Sequence, residues 1–163
     1  TYSNEKTLNN MNNMHSYLFK TSFGGVYKQF LTPHVVDAEE FETVNIGGMP
    51  VQTFMQKHAN VDSIGFRIHD FAYSVDVFDL SDEALDILKG VDTWIVDAAS
   101  GWEDVSRTHA HIGKVLDWVD IIKPRKTYLT VLTNSLDYEE TEKALPDNVH
   151  LCYDGMVLDF DTP

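Results

Sequence analysis

Apolar and polar residues alternate on both sides of the dipeptide His69-Asp70. Every second position of the two flanking segments is apolar: Ile64, Phe66 and Ile68 before it, and Phe71, Tyr73 and Val75 after it. A period of two is typical of β-strands, because successive side chains of a strand point to opposite faces. The two residues between the segments fit a tight turn, so residues 63–77 predict a hairpin that leaves Asp76 at a strand end.

The segments before this hairpin predict one helix and two further strands. Asn4 is a good N-cap residue, and the apolar spacing that follows it predicts a helix running to about Phe19. Residues 41–46 and 49–56 have strand character, and Gly47-Gly48 supplies the turn between them. The first half of the chain is therefore expected to be mainly antiparallel sheet.

The pattern changes after residue 80, where helices alternate with strands. Ser81 is expected to cap a short helix, and Pro124 to end a longer one. Strands are predicted at residues 93–97 and 127–132, which are continuous apolar runs of the kind found in sheets covered on both faces. Residues 138–144 predict a further helix. Residues 150–153 and 156–160 predict a closing hairpin around Asp154-Gly155. Antiparallel strands followed by β-α-β units indicate an α/β fold.

Composition and charge narrow the class of protein. At 163 residues and 43% hydrophobic content, residues 1–163 are expected to form a single domain with its own core. The formal net charge of −14, with only 12 Lys and Arg residues, argues against a nucleic-acid partner, since phosphate binding depends on those cations.

Cys152 is the only cysteine, which excludes an internal disulfide and a cysteine-based zinc cluster. Neither a membrane span nor a leader is visible, so a cytoplasmic location without membrane association is expected.

Two histidine motifs flank the hairpin: K-H-A-N, which contains His58, and T-H-A-H, which contains His109. Together with Y-S-V-D-V at Asp76, they resemble the metallo-β-lactamase superfamily. The likeness is greatest to its phosphodiesterase branch, which hydrolyses phosphoribosyl cyclic phosphate. It extends from T-Y-S-N-E-K-T-L at the start of the chain to Y-D-G-M-V-L near its end.

The resemblance implies a fold and a set of roles. The fold would be a four-layer αβ/βα sandwich, and the complete family enzyme would hold two divalent ions, zinc or manganese, that activate water. By position, His58 corresponds to a metal ligand and Asp76 to the carboxylate that bridges both metals. His109 corresponds to a catalytic histidine near the scissile phosphate, and Asp97 to an acidic residue that orients a neighbouring side chain.

The sequence departs from the family pattern in two places. The H-x-H-x-D-H signature, which supplies four ligands, does not occur in these residues. In the segment that resembles L-T-H-x-S-H-D-L-D-Y, the last metal-binding histidine has no counterpart: Val131 cannot coordinate a metal, and Thr133 or Asn134 would be a poor zinc ligand. We therefore expect the C-terminal two-thirds of a metallo-β-lactamase-like fold, with weak or no metal binding and no activity as an isolated chain. We also expect a homodimer, or association with a missing N-terminal segment, because an incomplete sandwich exposes a sheet edge.

Two functional hypotheses follow. In the first, the protein is a metal-dependent hydrolase of a small phosphodiester. In the second, it is a non-catalytic scaffold with a binding or regulatory role. Structural readings of the same residues also remain open: Asp76 could cap a loop, Asp97 could accept backbone hydrogen bonds, and His58 and His109 could be ordinary surface histidines.

Overall fold

The computed structural model describes residues 1–21, 24–25, 28–103 and 106–160 of the chain. Nine strands lie in these residues: β1 (Tyr2–Ser3), β2 (His34–Val35), β3 (Thr43–Ile46), β4 (Met49–Gln56), β5 (Ser63–Ile68), β6 (Phe71–Ser74), β7 (Thr93–Asp97), β8 (Lys126–Thr130) and β9 (Val149–Leu151). The described helices are α1 (Glu5–Met14), α2 (Ser16–Phe19), α3 (Asp82–Leu88), α4 (Ile112–Ile122) and α5 (Tyr138–Ala144). None of these helices is both long enough and apolar enough to cross a lipid bilayer.

Seven strands form one sheet in chain order, from β3 to β9. The pairs from β3 to β6 are antiparallel, and the pairs from β6 to β9 are parallel. Ile68 pairs with Phe71, which confirms the predicted hairpin and its two-residue turn. Strands β4 and β6 both run antiparallel to β5, so the carboxyl ends of β4, β6, β7 and β8 lie at one edge of the sheet.

The main core lies between the sheet and helices α3 and α4. The buried residues with the largest side chains come from both layers: Phe54, Leu88, Trp94, Ile112, Ile122 and Leu129. Val115, Trp118, Val119 and Ile122 form the buried face of α4 at the predicted helical spacing. The opposite face of β3 to β5 has an apolar groove beside Tyr2 and Val36. The mixed α/β fold class expected from the sequence is confirmed.

The predicted bounds of several elements differ from the structure. The first helix does not run to Phe19, because His15 has a non-helical backbone that separates α1 from α2. The strand predicted from Phe41 begins at Thr43, and the strand predicted to reach Leu132 ends at Thr130. Asn4 does cap α1, accepting a hydrogen bond from the Thr7 amide at 2.8 Å.

The predicted closing hairpin is also wrong. Val149–Leu151 forms β9, which pairs in parallel with β8, and residues 156–160 form no strand. Asp154-Gly155 still makes a turn, with a hydrogen bond from the Met156 amide to the Tyr153 carbonyl at 3.0 Å. The edge of β8 is therefore occupied by a strand that arrives after α5, which local turn chemistry does not indicate.

Gly65 is required by the packing of the antiparallel half of the sheet. A Cβ atom at this position would lie 2.4 Å from a ring carbon of Phe54 and 2.5 Å from the side-chain oxygen of Gln56. Both neighbouring side chains are buried at 0% and 1% exposure, so neither can move aside without disturbing the core.

We expect Gly65→Ala to lower the free energy of unfolding by about 1–3 kcal/mol, the usual cost of overpacking a core. Urea denaturation followed by circular dichroism measures the change. Gly113→Ala in α4 is the matched control. It meets only the His111 side chain, at 3.1 Å, and gains helix propensity, so its effect should stay below about 1 kcal/mol. Equal destabilisation by the two substitutions would contradict the packing argument.

Candidate metal centre

His58, Asp76 and His109 come together at the sheet edge where the strands end. One ligand atom of each residue lies within 4.8 Å of the others. His58 follows β4, Asp76 follows β6, and His109 lies between β7 and α4. Three residues singled out in the sequence by their motifs are therefore neighbours in the structure. Among the described residues, this is the only group of three or more such side chains close enough to share an ion.

The imidazole of His58 is held by a backbone carbonyl. Its Nδ1 lies 2.7 Å from the carbonyl oxygen of Thr108. Because a carbonyl oxygen only accepts hydrogen bonds, Nδ1 must carry the proton, and neutral His58 then has its lone pair on Nε2. This arrangement is typical of metal-binding histidines, in which one ring nitrogen donates to a carbonyl and the other coordinates.

The imidazole of His109 is held by a buried carboxylate. Its Nδ1 forms a hydrogen bond with the Oδ2 atom of Asp97, whose side chain has 0% exposure. Asp97 also accepts hydrogen bonds from the amides of Ala99 at 2.8 Å and Val77 at 3.3 Å. These donors stabilise the carboxylate in the core. The carboxylate in turn accepts a hydrogen bond from Nδ1 of His109, which keeps the proton on that nitrogen. The sequence analysis predicted that Asp97 orients a neighbouring side chain without naming it, and in the structure the side chain that it contacts is His109.

Asp76 lies in a tight turn whose backbone carbonyls accept hydrogen bonds from the side chains of Ser63 and Gln56. Its φ angle of 55° is in the left-handed region, which aspartate tolerates better than most residues. The Ser63 hydroxyl donates to the Asp76 carbonyl at 2.6 Å. The Gln56 amide nitrogen donates to that hydroxyl at 2.9 Å and to the Val75 carbonyl at 3.1 Å.

Sequence analysis missed this support by Gln56 and Ser63. The available signal was a glutamine at the end of the strongly apolar strand β4, where a buried amide needs hydrogen-bond partners.

The three clustered side chains fit a single divalent ion. Two histidines and one carboxylate are a common ligand set of catalytic zinc, and this set leaves a position for water or substrate. Two atoms bound to the same tetrahedral zinc lie about 3.4 Å apart, so side-chain shifts on the order of 1 Å would close the group around an ion. The resemblance implies two ions in the complete enzyme, and the donors in this cluster are too few for both.

Val131 directly follows β8, the strand that pairs with β7, and has an unfavourable backbone conformation. It directly follows Thr130, which pairs with Asp97 across β7 and β8. Its φ angle is 57°, an outlier for a β-branched residue. Thr133, two residues later, lines a cleft of about 700 Å³ together with His109. The segment predicted to mark a lost ligand therefore borders the site, and its valine side chain cannot coordinate a metal.

The other histidines and the single cysteine have different surroundings. His111 caps α4, accepting from the Lys114 amide at 3.2 Å, and His150 contacts Glu142 at 3.1 Å. Burial raises the pKa of the Cys152 thiol, with a smaller opposing effect of a hydrogen bond to Thr130. A raised pKa disfavours the thiolate form that metals bind.

Several solved structures have the same fold. A diphosphatase from the PhnP family aligns with a TM-score of 0.83 and 24% identity, over 98% of this chain and 58% of that protein. The metallo-β-lactamase fold protein YhfI from Bacillus subtilis aligns with a TM-score of 0.72 and 13% identity, over 95% and 62%. Zinc-bound PqqB from Methylobacterium extorquens aligns with a TM-score of 0.70 and 16% identity, over 98% and 64%. The chain thus spans about three-fifths of the length of these proteins.

No curated protein matches the chain significantly in sequence. The family model described as the beta-lactamase superfamily domain matches residues 15–130, more than two-thirds of the chain. Together with a fold shared with metallo-β-lactamase structures, this match shows that the chain belongs to the metallo-β-lactamase superfamily.

Proposed function

We propose that this chain carries part of the active site of a metal-dependent hydrolase that cleaves phosphoric esters, with a small phosphodiester as the substrate class. The convergence of His58, Asp76 and His109 within 4.8 Å carries the proposal, because these residue types combine metal ligation with proton transfer. The fold shared with a diphosphatase of the PhnP family supports a phosphoryl substrate.

His58 and Asp76 are proposed as the metal ligands. The Thr108 carbonyl fixes the His58 ring with Nε2 available, and the Ser63 and Gln56 hydrogen bonds fix the turn that carries Asp76. A divalent ion bound there would polarise a phosphoryl oxygen and lower the pKa of a bound water. The ligands are thus held in place by residues that do not themselves bind metal.

His109 is proposed as the catalytic acid. With Nδ1 hydrogen-bonded to Asp97, its Nε2 can hold a proton and donate it to the leaving oxygen of the substrate. The same geometry permits a second role, because Nε2 could instead be a third ligand to the ion held by His58 and Asp76.

The first prediction concerns metal content. Few ligands form a weak site, so the dialysed 163-residue chain should hold well below one zinc or manganese ion per chain. Calorimetric titration with zinc should detect weak binding that His58→Ala abolishes. His150→Ala, which removes a histidine paired with Glu142, is the matched control and should leave binding unchanged. Two tightly held ions by elemental analysis would contradict the prediction. Absence of any binding would favour the non-catalytic scaffold.

A second prediction concerns turnover. Hydrolysis of bis(p-nitrophenyl) phosphate by this chain should not exceed the rate of the same metal ions alone, because one weakly held ion replaces the two that superfamily enzymes use. Release of p-nitrophenolate measures the rate. Turnover above this background that is lost in His58→Ala would show that the chain is active by itself.

The third prediction concerns the position of Val131. Val131→His should bind zinc at least about tenfold more tightly than Val131→Asn, because imidazole adds a ligand beside the existing group. Asparagine is the matched control: like histidine, it tolerates a positive φ, but it is a poor zinc ligand. Equal zinc affinities of the two variants would show that residue 131 is not a ligand position.

A further inference from the structure

Trp102 lies at the rim of the cleft that contains His109. The chain has three tryptophans: Trp94 and Trp118 are buried in the core at 0% and 5% exposure, whereas Trp102 is 47% exposed. Both Trp102 and His109 line the same cleft of about 700 Å³. Trp102 is therefore the tryptophan whose ring is accessible to a ligand in this cleft.

The loop that carries Trp102 is hydrogen-bonded to the segment that contains His109. The Gly101 amide donates to the Ala98 carbonyl at 3.0 Å, and the Ile112 amide donates to the Gly101 carbonyl at 2.7 Å. The Ser100 hydroxyl donates to the His109 carbonyl at 3.0 Å. The backbone next to Trp102 is thus hydrogen-bonded to the start of α4. Because this backbone is already ordered, a ligand that binds to the indole loses little free energy in ordering the loop.

The cleft has the size and lining of a small-molecule site. Its volume lies within the range of about 300–1,000 Å³ that is usual for such sites. The described lining residues contribute hydroxyls and the carboxylates of Glu103, Asp137 and Glu140, and no Lys or Arg is among them. This lining disfavours a further phosphate in the cleft. It suits an uncharged ring whose N–H or O–H groups can donate hydrogen bonds to carboxylates.

We propose that Trp102 is a specificity-determining residue that stacks on a planar aromatic ring of the substrate, of the nucleobase class. The phosphoryl part of this assignment rests on the proposed function, since it places the reacting phosphate at His58, Asp76 and His109. The ring then occupies the cleft between Trp102 and the segment that contains Thr133. Stacking recognises the flat face of the ring and tolerates different bases.

Intrinsic fluorescence tests the proposal without requiring catalysis. Because Trp94 and Trp118 are buried, ligand-induced quenching of the red-shifted, solvent-exposed emission reports on Trp102. The protein is titrated with adenosine, AMP and ribose 5-phosphate in the presence of zinc, with excitation at wavelengths where adenine does not absorb. Adenosine and AMP should quench this emission, and ribose 5-phosphate should not.

Affinities measured by calorimetry provide the second readout. AMP should bind about 5- to 150-fold more tightly than ribose 5-phosphate, as expected for one stacked base. Trp102→Ala should remove this difference, and Trp102→Phe should restore most of it. Tyr17→Ala is the matched control, since it removes an aromatic ring that is 64% exposed and does not line this cleft.

The outcomes separate the inference from the proposed function. Equal binding of AMP and ribose 5-phosphate, or an AMP affinity unchanged in Trp102→Ala, would overturn the role of Trp102. Adenosine binding as tightly as AMP, with both lost in Trp102→Ala, would support stacking on Trp102 while contradicting a phosphoryl site beside it.

Discussion

The buried carboxylate of Asp97 is the contact on which the site depends. It ends β7 inside the core and accepts hydrogen bonds from the Val77 amide after β6, from the Ala99 amide after its own strand, and from His109. An ionised group with 0% exposure is stable only when such donors surround it. The Asp97 side chain therefore connects the ends of β6 and β7 to the loop that contains His109, and it fixes the position of that loop relative to the two strands.

Around this carboxylate, the sheet edge combines rigid strands with sharply turned connections. Asp76 follows β6 and Val131 follows β8, both with positive φ angles, so the chain turns away as soon as pairing ends. Such conformations cluster at functional sites because surrounding contacts must hold them. At Asp76 the turn presents a carboxylate to two histidines, whereas at Val131 an equally turned backbone presents a side chain without ligand chemistry.

Family membership and site geometry answer different questions about this protein. Membership in the metallo-β-lactamase superfamily and the shared fold define the scaffold, on which many unrelated reactions occur. The clustering of His58, Asp76 and His109 and the cleft lined by Trp102 are the observations from which we propose a phosphoryl substrate that carries a ring.

The sequence by itself determined the elements whose signals are local. Alternation around His69-Asp70 gave the hairpin, and helical spacing of Val115, Trp118 and Ile122 gave α4, because burial of one face repeats with the period of the element. Motif resemblance identified His58, Asp76, His109 and Asp97 as candidates. Only the tertiary structure decided what joins them: β9 paired in parallel with β8 instead of forming a hairpin, Thr108 and Asp97 set the histidine tautomers, and Gln56 supported the Asp76 turn. Most of these contacts join residues far apart in sequence, and hydrogen-bond partners at that separation leave no periodic signal in the chain.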